Sequence, residues 1–199
     1  MYPILKKILI FVSSGFESLE LSPFIDVFGW NNIVGNCKIF PKICGLHDTI
    51  RATWNLKINP EINLSKEIIN LNEYEALIIP GGFGMGGFFK DIQSTELNSL
   101  LDHFISNNKF VIGICTGSLA IGINGFLKNI RATTYLLDNN RYFNQLQNYE
   151  AIPLRENIVI HNNIITSSGP STALPLAFYL LEKLSSTENL NIVKKNMGF

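Results

Sequence analysis

Residues 110–118 read FVIGICTGS, and the parsing of that stretch decides the fold. FVIGI has no polar position, which is the pattern of a strand buried on both faces of a parallel sheet. Small residues follow at once, and Ser118 can open a helix. Gly113-Ile114-Cys115-Thr116-Gly117 therefore has the form of a nucleophile elbow, glycine–x–nucleophile–x–glycine, with cysteine as the nucleophile. Such a turn forces its central residue into strained backbone, and small flanking residues avoid clashes. It lifts the side chain above the sheet at a helix N-terminus. Free amides and the helix dipole favour thiolate there, so the expected Cys115 pKa lies well below the free-thiol value of about 8.5. The alternative is a buried structural cysteine beside a tight turn.

Outward from the elbow, strand-like and helix-like segments alternate. Residues 7–12 and 76–80 (ALIIP) read as buried strands. Residues 37–44 read as an edge or broken strand because of Pro41. Residues 50–53 and 56–58 suggest a small hairpin, and residues 131–134 a short strand. Residues 158–161 and 164–167 flank Asn162-Asn163, a type I′ hairpin signal. Helical spacing covers residues 20–32, 95–107, 118–124 and 170–184. Alternating β and α with buried strands predicts a doubly wound parallel sheet whose ligand sits beyond the carboxyl ends of its strands. The 199 residues suit one domain, with a polar, peripheral tail from about Ser185.

The bulk properties narrow the function. Lys+Arg and Asp+Glu are both 16, so no basic excess argues for nucleic acid or an acidic membrane surface. The apolar run after the Lys6-Lys7 pair is too short for a signal peptide and no cleavage site follows it. Three cysteines, Cys37, Cys44 and Cys115, suggest free thiols in a reducing compartment, hence a cytoplasmic protein.

Three strand ends carry candidate chemistry. Cys115 is the nucleophile. Glu17, in SSGFE after the first strand, can face the same crevice. Beside a thiolate its pKa should rise, so that it donates a hydrogen bond to sulfur; the alternative is a carboxylate serving the helix N-terminus. Gly81 and Gly82 end ALIIP, and their amides, with that of Thr116, can form an oxyanion hole. The loop through Gly84, Gly86 and Gly87 reads either as a mobile lid or as an ordinary flexible loop. His47, His103 and His161 read as structural or solvent-facing. No metal-ligand spacing is present in the sequence.

GFESLE, ALIIPGG, IGICTGS, RATT and NIITSSGPSTAL, in this order, resemble the ThiJ/PfpI superfamily, over residues 7–184. That resemblance implies a flavodoxin-like sheet and a homodimer, with Cys115 as reactive thiol and Glu17 as its carboxyl partner. It also implies Gly82 and Thr116 amides around a bound oxygen. The superfamily is functionally mixed: glyoxalases or deglycases, isonitrile hydratases, peptidases, redox-responsive chaperones and domains fused to DNA-binding helices. CTGS and RATT resemble the isonitrile-hydratase branch, and TSSGPSTAL the deglycase branch. Several enzymatic members have histidine directly after RATT, where this chain has Tyr135, a phenol that is a poor base at neutral pH. Peptidase members have histidine directly after the cysteine, where this chain has Thr116. The expected activity is cofactor-independent attack of Cys115 on a small electrophilic substrate, a carbonyl or an isonitrile. The alternative is a non-catalytic redox sensor or chaperone-like stress protein acting through Cys115 oxidation.

Overall fold

The computed structural model describes residues 5–199. The first four residues of the leader-like stretch, residues 1–4, lie outside them. The principal strands are β1 (Leu5–Phe11) and β2 (Lys38–Gly45). The pair β3 (Ile50–Arg51) and β4 (Lys57–Ile58) precedes β5 (Ile62–Asn63), β6 (Tyr74–Ile79) and β7 (Phe110–Ile114). Then come β8 (Arg131–Ala132), β9 (Ile152–Pro153), β10 (Ile158–His161) and β11 (Ile164–Ser167). The helices are α1 (Ser18–Val34), α2 (Phe88–Asp91), α3 (Thr95–Ser106) and α4 (Gly117–Ile123). They continue with α5 (Arg141–Asn148), α6 (Ala173–Leu184) and α7 (Thr187–Met197).

The main sheet runs β10-β11-β7-β6-β1-β2-β5, parallel except for the β10–β11 hairpin. Counting β1, β2, β6, β7 and β11 in chain order gives the flavodoxin-like order 2-1-3-4-5. Strand residues alternate between two apolar layers. Ile8, Ile10, Val12, Ile78 and Ile112 pack with α1, α6 and α7. Leu9, Phe11, Leu77, Ile79 and Val111 pack with α3, α4 and α5. Each such fully buried side chain stabilises the fold by about 1.5–3 kcal/mol. The sheet order reverses between β1 and β6, and an isolated bridge, Phe16 to Gly82, ties the loops beyond those two strands together. A crevice therefore opens beyond the carboxyl ends of β1, β6 and β7.

Four elements depart from the sequence reading. The Pro41 strand is not a true edge: β2 lies between β1 and β5. Yet β5 covers only Cys44 and Gly45, so Pro41 faces an unpaired side where its missing N–H costs nothing. At the β10–β11 turn only Asn162 has positive φ (56°), so the turn is not type I′. Asn163 is held instead by its side chain, which donates to the Lys109 carbonyl at 2.7 Å. The stretch from Ser185, expected as a peripheral tail, contains α7, docked on α1 and α6 with Val193 and Asn189 fully buried. The Asn189 side chain donates to Asn31 Oδ1 (2.7 Å) and accepts from the Asn36 amide (2.7 Å). Finally, α5 forms in a polar stretch where no helix was expected.

Among the described residues no helix is long and apolar enough to cross a membrane. Among them, too, no group of three or more His, Cys, Asp or Glu side chains is placed to hold a metal.

Candidate functional site

A tight strand–turn–helix forms around Cys115 where the sequence places the elbow. Cys115 follows β7 with φ 55°, in the left-handed region that a β-carbon disfavours. Its backbone is held on both sides. The amide donates to the Ser167 carbonyl at 2.8 Å, and its carbonyl accepts from Thr134 Oγ1 at 2.7 Å. Strain of about 1–3 kcal/mol persists only where surroundings over-determine it in this way. The two glycines are required by close approach. A β-carbon on Gly113 would lie 2.7 Å from the Ser118 Cα, and one on Gly117 would lie 2.1 Å from the Ile79 carbonyl oxygen.

Lining the same cavity as Cys115 is Glu20, in the first turn of α1 and fully buried. Its Oε2 accepts from the Gly81 amide at 2.5 Å. Its Oε1 is buried and without a hydrogen-bond partner of ordinary geometry. The thiol of Cys115 is the neighbour with which this carboxyl interacts. Burial pushes the Glu20 pKa up to about 8; the Gly81 amide opposes this, the Glu17 carboxylate adds to it, and Cys115 opposes it. Glu20 thus holds its proton at neutral pH, and a protonated Oε1 would be a donor without another acceptor.

The thiol departs from expectation. Burial, then the Glu20 carboxylate, push the Cys115 pKa up, whereas the Thr116 amide pulls it down. Helix α4 has seven residues and adds little dipole to oppose the burial. The repulsive share from Glu20 vanishes once Glu20 is protonated, so the titrations of sulfur and carboxyl are coupled.

The cavity above the thiol has a volume of about 160 Å³ and is lined by Glu17, Glu20, Gly82, Phe83, Cys115, Thr116, Tyr135, Tyr142 and Pro170. Glu17 is therefore at the site, but not as the partner of sulfur. It precedes α1, and its Oε2 accepts from Trp54 Nε1 at 3.2 Å. The expected oxyanion hole is also corrected. The Gly81 amide is taken by Glu20. The Gly82 amide is taken by Thr116 Oγ1 at 2.8 Å, and that hydroxyl donates back to the Gly82 carbonyl at 2.9 Å. Of the three expected amides, only that of Thr116 serves the sulfur. Tyr135 lines the cavity as expected. Gly84 does not; it borders a neighbouring cleft.

The glycine loop folds as a hydrogen-bonded turn. Phe83 donates from its amide to the Gly15 carbonyl at 3.0 Å, and Gly84–Gly86 form a single 3₁₀ turn before α2. None of the histidines lines the cavity. His47 pairs with the buried Asp91 at 3.2 Å, and His161 Nδ1 accepts from the Arg131 amide at 2.9 Å.

Glu20, Phe83, Tyr142 and Pro170 are the lining residues that the sequence reading did not single out. A signal existed for Glu20: GFESLE holds two glutamates three apart, and helical spacing puts such a pair on one face. Tyr142 had none without α5.

The family model described as "DJ-1/PfpI family" matches residues 6–183, and the chain belongs to that family. An isonitrile hydratase of Pseudomonas putida is 26% identical over 125 residues, 63% of this chain and 52% of the relative. A glutathione-independent glyoxalase DJ-1 of Schizosaccharomyces pombe is 32% identical over 128 residues, 63% of each chain. The matched stretch thus spans less than two thirds of either relative. The crystal structure of Drosophila melanogaster DJ-1beta superposes with a TM-score of 0.82 over 98% of each chain at 22% identity, a likeness of fold.

Proposed function

We propose that this member of the DJ-1/PfpI family is a cofactor-independent enzyme in which Cys115 adds to a small electrophilic carbon, a carbonyl or an isonitrile. The observation that carries the reading is the buried, otherwise unpartnered Glu20 Oε1 beside a half-buried thiol at the floor of a small cavity. A buried carboxyl oxygen without a partner is costly unless it carries a proton and donates it. At neutral pH the pair rests with carboxylic acid and thiol both protonated; the attacking form is the minor monoanion with its charge on sulfur, which accepts from the Glu20 carboxylic acid and from the Thr116 amide.

On a carbonyl substrate the sulfur–carbon bond forms as the carbon–oxygen π bond breaks, and Glu20 delivers its proton to the new oxyanion. Glu20, then ionised, is the base for the next proton transfer. On an isonitrile the same attack gives a thioimidate, with the Glu20 proton going to the former isonitrile carbon; water then releases a formamide and restores the thiol. Kinship with a glyoxalase and an isonitrile hydratase supports this substrate range. The cavity favours small groups, since about 150 Å³ accommodates a benzene-sized molecule.

The test is turnover of methylglyoxal and of an alkyl isonitrile by the wild type and by Cys115→Ser. Activity on either substrate that disappears in the variant is expected. No Cys115-dependent turnover on either would defeat the enzyme reading in favour of a redox role.

A further inference from the structure

The Cys115 cavity does not end at its mouth. Phe83, Tyr135 and Tyr142 line both that cavity and a larger outer cleft of about 670 Å³. The wall they share is aromatic. Phe89 and Tyr142 stack at 6.2 Å with an interplanar angle of 16°, and Tyr135 meets Tyr142 edge-on at 6.2 Å. Such rings contact flat apolar groups through offset or edge geometry.

The charges along this path are polarised. The Cys115 cavity is lined by the carboxyl groups of Glu17 and Glu20. The outer cleft holds one cation, Arg141, and one anion, Asp138. Arg141 is not committed. Its guanidinium lies 5.3 Å from the centre of the Tyr142 ring and only loosely, at 3.9 Å, from Asp138 Oδ2, with its side chain 67% exposed. A planar guanidinium stacked on an aromatic face keeps its N–H edge free for a carboxylate, which it can meet with two parallel hydrogen bonds.

Resting on the reactive-cysteine reading, we infer that the substrate is elongated. Its electrophilic carbon enters the Cys115 cavity, a flat apolar body lies against Phe83, Tyr135 and Tyr142, and a terminal carboxylate is held by Arg141. The polarity fixes the direction of entry, because a carboxylate pushed inward would meet the Glu17 carboxylate, whereas the outer position offers a cation. Asp138 competes for the same guanidinium and so weakens the grip.

Binding of 4-formylbenzoate and of neutral 4-formylbenzamide, measured by titration calorimetry, tests this. The two probes share ring and aldehyde and differ in charge at the far end. In the wild type the aldehyde carbon bonds to Cys115 sulfur, and the thiol proton passes to the aldehyde oxygen as its π bond breaks. The carboxylate is expected to bind at least tenfold more tightly than the amide. Arg141→Gln should abolish that ratio, and Asp138→Asn should widen it. In Cys115→Ser both probes should weaken while the ratio survives. A ratio near one in the wild type, or one unchanged in Arg141→Gln, overturns the inference even if both probes bond to the thiol. Conversely, a ratio kept in Cys115→Ser while the wild type shows no thiol adduct supports the carboxylate site and counts against the enzyme reading alone.

Discussion

Glu20→Gln should uncouple stability from pH. Folded Glu20 holds its proton up to about pH 8, against 4.5 for a free carboxyl. Between those values the unfolded chain binds fewer protons than the folded one, so stability is fully present below pH 4.5 and falls as pH rises towards 8. The 3.5-unit separation corresponds to about 4.8 kcal/mol, at 1.36 kcal/mol per unit, and about 3.5 kcal/mol of it is lost between pH 5 and pH 8. That is a large share of a typical domain's stability of about 5–15 kcal/mol. Cys115, pushed above 9.0, titrates outside this window.

Glutamine preserves the shape of the protonated acid. Its carbonyl can accept from the Gly81 amide and its NH₂ can donate to sulfur. Urea unfolding at pH 5, 6, 7 and 8 should therefore give similar stabilities at pH 5 and a variant more stable by about 3.5 kcal/mol at pH 8. Parallel curves for the two proteins would refute a carboxyl that is protonated at neutral pH, and with it the proton donor on which the proposed chemistry depends.

Three further outcomes follow from the structure. Gly117→Ala, which drives a β-carbon to 2.1 Å from the Ile79 carbonyl oxygen, should destabilise the protein by more than about 3 kcal/mol in denaturant titration; a loss under 1 kcal/mol would mean that the elbow can relax. Val193→Ala should cost about 1–3 kcal/mol if α7 is part of the core, as its full burial implies, and close to nothing if the C-terminal stretch is peripheral. Tyr135→His replaces a phenol on the cavity wall by a base that titrates near neutrality, and should raise kcat for methylglyoxal at least tenfold; an unchanged or lower kcat would show that no second base is limiting.

The parallel sheet was legible because its strands carry the pattern that burial on both faces demands: ILIFV, ALII and FVIGI each hold four or five apolar positions without a polar break. The elbow was legible because Gly113 and Gly117 are each excluded from bearing a β-carbon, and that exclusion is written in the sequence. Helix α5 was not, because only Phe143 and Leu146 bury a side chain within it. Helix α7 was hidden for a related reason: its contact with α1 runs through Asn189 and Asn31, polar residues that satisfy each other only in three dimensions. The titration of Cys115 was illegible in principle. A helix N-terminus can be read from spacing, but the burial that outweighs it is made by tertiary packing around a cavity lined by residues as distant in the chain as Glu20, Phe83 and Pro170.

The two glutamates of GFESLE show what one turn of helix decides. Glu17 lies before α1 in extended backbone, and Glu20 lies inside its first turn. The amide of Glu17 donates to the Gly81 carbonyl at 2.8 Å, while the amide of Gly81 donates to Glu20 at 2.5 Å, so Gly81 clamps both residues from one strand end. The clamp leaves Glu17 paired with the exposed Trp54 and Glu20 fully buried, interacting with the thiol. Two carboxyl groups at different depths then differ in role. The outer carboxylate repels a second negative charge on the inner one and helps burial keep it protonated. On the proposed chemistry, a protonated inner carboxyl both donates to the sulfur and hands over a proton during attack, and Glu17 would act on the thiol only through Glu20.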